Sequence, residues 1–171
     1  RNCRGVGGHE VRRQTGFHPM TAIQDRIADN HCYGCGTNNS HGLQIKSYWE
    51  GDEAVCRYTP KPYHTAIPGY VYGGLIASLI DCHSTGTASA AAARASQDTA
   101  DRQGPDRFLT ASLHVDYLKP TPIDATLEVR AVIKSIKGRK VVVASRLIAA
   151  GQVCATGEVV AVQVPEHLMP R

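Results

Sequence analysis

Residues 73–95 contain no proline and carry Ala88, Ala90, Ala91, Ala92, Ala93 and Ala95, a composition that favours one unbroken helix of about six turns. A helix of that length needs a broad surface to lie on, and the flanking sequence supplies strands for it. Before the helix, residues 43–49 and 53–59 read as strands flanking the turn-forming Glu50-Gly51-Asp52. After it, residues 108–118 are aromatic and β-branched and are stopped by Lys119-Pro120-Thr121-Pro122. Leu127, Val129, Ala131 and Ile133 then alternate with Glu128, Arg130 and Lys134. The turn Lys137-Gly138-Arg139-Lys140 follows, and residues 141–149 and 153–164 complete an antiparallel meander. The order strand, strand, long helix, four strands predicts an α+β domain with one long central helix packed on a curved antiparallel sheet.

The helix opens with Pro68-Gly69-Tyr70-Val71-Tyr72-Gly73-Gly74 and then runs through Leu75-Ile76-Ala77-Ser78-Leu79-Ile80-Asp81. A glycine pair at a helix start lets backbone N–H groups approach a ligand closely, and the helix dipole favours negative charge there. An aspartate among leucine and isoleucine loses solvation unless it is paired or used. Seven residues separate Gly74 from Asp81, about 10 Å along the axis, so one substrate carbonyl cannot easily meet both from a single helix. Two copies of the helix, meeting at a subunit interface, would bring them together. Two stripes are expected on this helix, an apolar one through Leu75, Leu79, Cys82, Gly86 and Ala90, and one of small or polar residues. The second includes Ser78, Asp81, Ser84, Thr85 and Ala88 and leaves room for a ligand beside Asp81.

With 171 residues and 42% hydrophobic content, the chain suits one domain with a real core. Residues 1–29 read as an N-terminal extension. Its first 18 residues are expected to be mobile, and Met20, Ile23 and Ile27 mark a short amphipathic helix between 19 and 29. The domain is expected over 30–166, with a tail at 167–171. No apolar run reaches the length of a membrane span, and no hydrophobic stretch follows the early arginines as in a signal peptide. The net charge of +4, without a basic run interleaved with aromatics, argues against nucleic acid. Six scattered cysteines in a chain of this size fit reduced thiols in the cytoplasm. Cys32-x-x-Cys35, with His31 and His41 near, has half the look of a zinc or redox motif. Without a second Cys pair at zinc-ribbon spacing or a βαβ context, it reads as a turn whose thiols pack under the sheet, and no metal is expected. His64 and His83 read as ordinary polar groups at a loop or helix surface.

The ordered set Cys32-Tyr33-Gly34-Cys35-Gly36, Asn39-Ser40-His41-Gly42-Leu43, His64, Pro68 to Gly74, Asp81 and Leu113-His114-Val115-Asp116-Tyr117-Leu118-Lys119-Pro120 resembles the hotdog-fold acyl-CoA thioesterases of the 4-hydroxybenzoyl-CoA/phenylacetate thioesterase superfamily. The resemblance covers roughly residues 30 to 164. It implies a hotdog fold, an acyl-CoA substrate and a homodimer or dimer of dimers, with no cofactor beyond the coenzyme A of the substrate. It also assigns Asp81, nine positions after the residue preceding Gly-Gly, as general base or nucleophile. Where the family usually has histidine this chain has Tyr72, whose hydroxyl can donate a hydrogen bond but stays uncharged near neutral pH. His64 matches an upstream histidine of relatives, and Thr110 a hydroxyl position that can hold the attacking water.

The mechanism so implied has Asp81 of one subunit activating water held by Thr110 or Ser84, while the Gly74 N–H of the other stabilises the oxyanion. Gly73, Ser84 and Thr85 are expected to line the substrate site. Lys137, Arg139 and Lys140, with Arg102 and Arg107 near the helix exit, are candidates for the coenzyme A phosphates. Two rival functions fit the same scaffold. A hotdog hydratase or dehydratase would want an Asp-and-His pair near the helix start, where Tyr72 stands; a non-catalytic acyl-CoA-binding or sensing module would keep the pocket without turnover.

Overall fold

A computed structural model describes residues 21–96 and 106–165 of the chain. The expected extension over 1–18, Arg102 with the centre of the loop after the helix, and the tail at 167–171 lie outside the described residues. The chain forms strands β1 (Ser47–Glu50), β2 (Glu53–Tyr58), β3 (Thr65–Ile67) and β4 (Tyr70–Val71), helix α1 (Gly73–Ala95), and strands β5 (Phe108–Tyr117), β6 (Leu127–Lys137), β7 (Lys140–Ala149) and β8 (Gln152–Gln163). Six of the strands make one antiparallel sheet in the order β1-β2-β6-β7-β8-β5, and β3 and β4 pair separately. With α1 laid across the sheet, this is the hotdog fold. No described helix is long and apolar enough to cross a membrane.

Alternation in sequence becomes alternation in burial. In β7, Val141, Val143, Ser145, Leu147 and Ala149 point inward, and in β6 so do Leu127, Val129 and Ala131. They close on Leu75, Leu79 and Ile80 of α1, all fully buried. The outer face is ionic: Arg130 reaches Glu53 at 3.0 Å and Arg146 reaches the same carboxylate at 2.7 Å. Both arginines hold the Glu53 carboxyl below its ordinary range.

Three elements depart from expectation. The helix expected at 19–29 is, within the described residues, a single 3-10 turn, Ile23–Arg26, because Ile27 is already extended. The first strand begins only at Ser47, since Gln44 has φ of 56° and cannot continue a ladder. The meander comprises β6, β7 and β8 alone. β5 lies at the far edge, paired with β8, so the strand that follows the helix runs beside it along an open margin of the sheet. That margin positions the site.

Candidate active site

Asp81 lies in the third turn of α1, half-buried, and Thr110 of β5 donates a hydrogen bond from its hydroxyl to Asp81 Oδ1. Burial pushes the Asp81 carboxyl upward, the Thr110 hydroxyl opposes this, and negative charge on Cys32 adds to the rise. A cavity of about 140 Å³ opens beside it, bounded by α1, the start of β5 and the loop of Cys32 and Cys35. Thr85 also lines it, although its hydroxyl donates to the Asp81 and Cys82 carbonyls one turn back.

Gly73 and Gly74 sit about two turns earlier, at the start of the helix. Their N–H groups belong to the first turn, where the helix offers no carbonyl four residues back. Gly74 is exposed, and the Tyr72 ring lies over it, so close that a Cβ on Gly74 would stand 2.4 Å from Tyr72 Cε2. Tyr117, at the end of β5, donates its hydroxyl to Gly73 O at 2.9 Å. A second cavity, about 260 Å³, lies here among Tyr70, Gly73, Ile76, Tyr117 and Thr121. Thr121 is buried and its hydroxyl has no partner among the described residues. Nothing in the sequence pattern singled out Thr121; only the fold of the Pro120–Pro122 segment against Val71 buries it, through the bond from Val71 N–H to Thr121 O.

The remaining candidates divide. His64 is a correction: it is buried, not at the surface. Its Nδ1 accepts the Lys61 N–H at 3.1 Å, and its ring packs against Tyr58 and Tyr63. Burial, reinforced by the charge of Lys61, depresses its pKa. The His64 carbonyl accepts the Tyr72 N–H, which places the residue by the helix start and not beside Asp81. His83 is a second correction. It is fully buried, bonded through Nδ1 to Ser47 Oγ at 2.7 Å and through Nε2 to the Ala54 carbonyl at 3.1 Å, and burial pulls its pKa down to about 4. Ser84 is a third. Its hydroxyl is buried against Ser145 at 2.7 Å, on the sheet side of the helix, so it does not share the cavity with Asp81. The stripe of small and polar residues therefore serves two faces: Asp81 and Thr85 turn to the cavity, Ser84 and Ala88 to the sheet.

Lys137, Arg139 and Lys140 are exposed on the β6–β7 hairpin. Arg139 also donates from its guanidinium to Gln163 O at 2.7 Å. Gln163 pairs with Phe108, so this hairpin stands at the same end of the sheet as the Asp81 cavity. Arg107 is committed to the backbone, donating to the carbonyls of Ala28 and Asp29. The Cys32–Cys35 turn packs not under the sheet but on the helix, at Cys82.

Comparison with known proteins follows the same lines. The model of the thioesterase superfamily matches residues 68–156, which span the glycine pair, Asp81, Thr110 and most of the sheet. The chain belongs to the thioesterase superfamily. The crystal structure of a thioesterase superfamily protein from Shewanella loihica PV-4 is 50% identical, covers 74% of this chain and 96% of its own, and superposes with a TM-score of 0.61. The E. coli PaaI protein of the phenylacetic acid degradation operon, at 14% identity over 72% of this chain and 81% of its own, shares the fold with a TM-score of 0.58. The acyl-coenzyme A thioesterase THEM4 of Bos taurus is 22% identical over 124 residues, 71% of this chain and 46% of its own length. The THEM4 of Xenopus laevis is 32% identical over 87 residues, 51% of this chain and 33% of its own. The chain thus spans less than half the length of these curated relatives.

Proposed function

We propose that this chain is an acyl-CoA thioesterase, cleaving a thioester to a free acid and coenzyme A. The observation that carries the reading is the half-buried Asp81 held by the Thr110 hydroxyl at the edge of a cavity, in a chain of this superfamily. A fixed carboxylate in a partly desolvated place is suited to take a proton from water. Water attacks the thioester carbon, its proton passes to Asp81, and charge develops on the carbonyl oxygen. The tetrahedral intermediate then expels the coenzyme A thiolate, which recovers the proton from Asp81. Direct attack by the Asp81 carboxylate, through an anhydride that water later opens, uses the same placement.

The oxyanion needs a donor, and the N–H of Gly74 is suited to it. It stands about 10 Å from Asp81 along the same helix, so the reading requires a second copy of the chain. β5 offers the contact. It is an edge strand with Leu109, Leu113 and Tyr117 exposed, the kind of margin that pairs with another strand. Antiparallel pairing of two β5 strands centred between Leu113 and His114 sets Thr110 of one copy opposite Tyr117 of the other. Because Thr110 touches Asp81 and Tyr117 touches Gly73, that register brings Asp81 of one helix toward the glycine pair of the other. The assembly is a homodimer or a dimer of dimers. Tyr72, beside Gly74, takes the place of a polar group near the carbonyl, and Lys137, Arg139 and Lys140 receive coenzyme A phosphates.

The test is thiol release from short, medium, long and aromatic acyl-CoAs, with Asp81→Asn and Asp81→Ala alongside. Turnover lost in both variants, with the assembly still folded, supports the reading. Binding without turnover on any acyl-CoA would replace it with a sensing role, and turnover indifferent to Asp81 would end the assignment of that residue.

A further inference from the structure

Cys32, Cys35 and Cys82 bring three sulfur atoms within 4.8 Å of one another, and Cys32 Sγ lies 3.7 Å from Cys82 Sγ. Two of these residues come from the loop before β1 and the third from α1, so neither packing element alone explains the convergence. A disulfide joins sulfurs about 2 Å apart, whereas two thiolates on a tetrahedral zinc with bonds of about 2.3 Å stand about 3.8 Å apart. The Cys32–Cys82 separation has the second value.

The Gly36 N–H donates to the Cys32 carbonyl at 2.8 Å, closing a tight turn. Asn30 adds a bond from Nδ2 toward Cys35 Sγ at 3.8 Å. The glycines are required by the approach: a Cβ on Gly34 would stand 2.2 Å from Cys82 Sγ, and one on Gly36 would stand 2.6 Å from backbone atoms of Asn30 and Cys32. The sequence is thus shaped to press the Cys32–Cys35 turn onto the Cys82 thiol.

We propose that Cys32, Cys35 and Cys82 form a binding site for one thiophilic divalent cation, with zinc as the physiological ion. All three line the cavity that also holds Asp81, so its water supplies the fourth ligand. His31 takes no part, since its ring pairs with Asp29 at 2.7 Å. The ion ties the loop before the sheet to the middle of α1, beside Asp81. This inference does not depend on the thioesterase reading and is measured without turnover.

The full chain, purified under reducing conditions, is loaded with Zn²⁺ or Co²⁺ and freed of excess ion, and the bound metal is counted by plasma mass spectrometry. The expected result is one ion per chain and, with Co²⁺, thiolate charge-transfer absorption with the intense visible bands of a tetrahedral site. Cys32→Ser and Cys82→Ser each reduce the bound metal to background, while Cys154→Ala leaves it unchanged. Wild-type protein that holds no metal with its thiols shown to be reduced would overturn the proposal, without recourse to any variant. So would full metal retention in Cys82→Ser, or a disulfide linking Cys32 to Cys35 or Cys82 found in the freshly purified chain by peptide mass spectrometry.

Discussion

The first and third turns of α1 face the same edge strand but are built differently. Around Asp81 the surroundings are close: a carboxylate fixed by Thr110, thiols on one side and a cavity of about 140 Å³. Around Gly73 and Gly74 they are open, with exposed aromatic rings, an exposed glycine, no acidic residue in the first turn and a cavity of about 260 Å³. The third turn is able to hold a proton acceptor, the first to offer N–H donors to developing charge. Neither place carries what the other has, and about two turns of helix keep them apart within one chain. On the reading proposed above, a subunit supplies two halves of two different sites.

That contrast is open to attack at each end. Asp81→Asn preserves shape and the contact with Thr110 while removing the base, and kcat is expected to fall by about 10²- to 10⁴-fold with an unchanged unfolding midpoint. Single-turnover kinetics beside thermal unfolding would check this. Gly74→Pro removes an N–H of the first helical turn but also sets a Cβ against the Tyr72 ring, so Gly74→Ala, which adds the Cβ and keeps the N–H, is its control; relative to that control a loss of about 10²- to 10³-fold in kcat is expected with KM little changed. If the loss appeared instead only in KM, the open end would be a binding surface and not an oxyanion site. Thr110→Val removes one hydrogen bond to a charged group and should lower kcat about tenfold, with Thr110→Ser restoring most of it.

The smallest expected effect concerns stability and lies behind Asp81, on the sheet side of the helix. His83 is buried and neutral, with its pKa drawn down to about 4, whereas an unfolded histidine titrates near 6.5. Below about pH 6.5 the unfolded chain binds a proton that the folded chain does not, so this contribution is intact above that pH and is lost as pH falls toward about 4. Denaturant titrations at pH 7 and pH 5 should show lower stability at pH 5, with a smaller difference in His83→Gln. An equal difference in both proteins would place the acid sensitivity elsewhere.

The long helix, the β1–β2 hairpin and the β6–β8 meander were legible because each depends on local rules: helix formers without proline, turn residues, and strict alternation. The glycine pair and Asp81 were legible as well, since an acid in an apolar helix run stands out in any reading. What escaped had non-local causes. Ser84 and Thr85 are neighbours with similar side chains, and only the position of Ser145 on β7 decides that Ser84 faces the sheet. His83 is buried because Ser47 and Ala54 come to meet it from two different strands. Cys82 joins Cys32 from 50 residues away, beyond the reach of any spacing motif. The edge position of β5 likewise follows from its pairing with β8 and not from its own composition.

The central claim, that one chain's Asp81 works with the other chain's Gly74, is tested most directly by mixing two inactive variants. Asp81→Asn and Gly74→Pro chains are denatured together, refolded in equal amounts, and assayed for thiol release after mixed assemblies have been demonstrated by mass. A mixed dimer then holds one site with both groups intact and one with neither. Random pairing is expected to return about a quarter of wild-type activity per chain, from two proteins that are each inactive alone. Mixed dimers that form and remain inactive would contradict the account and place both groups of the working site within a single subunit.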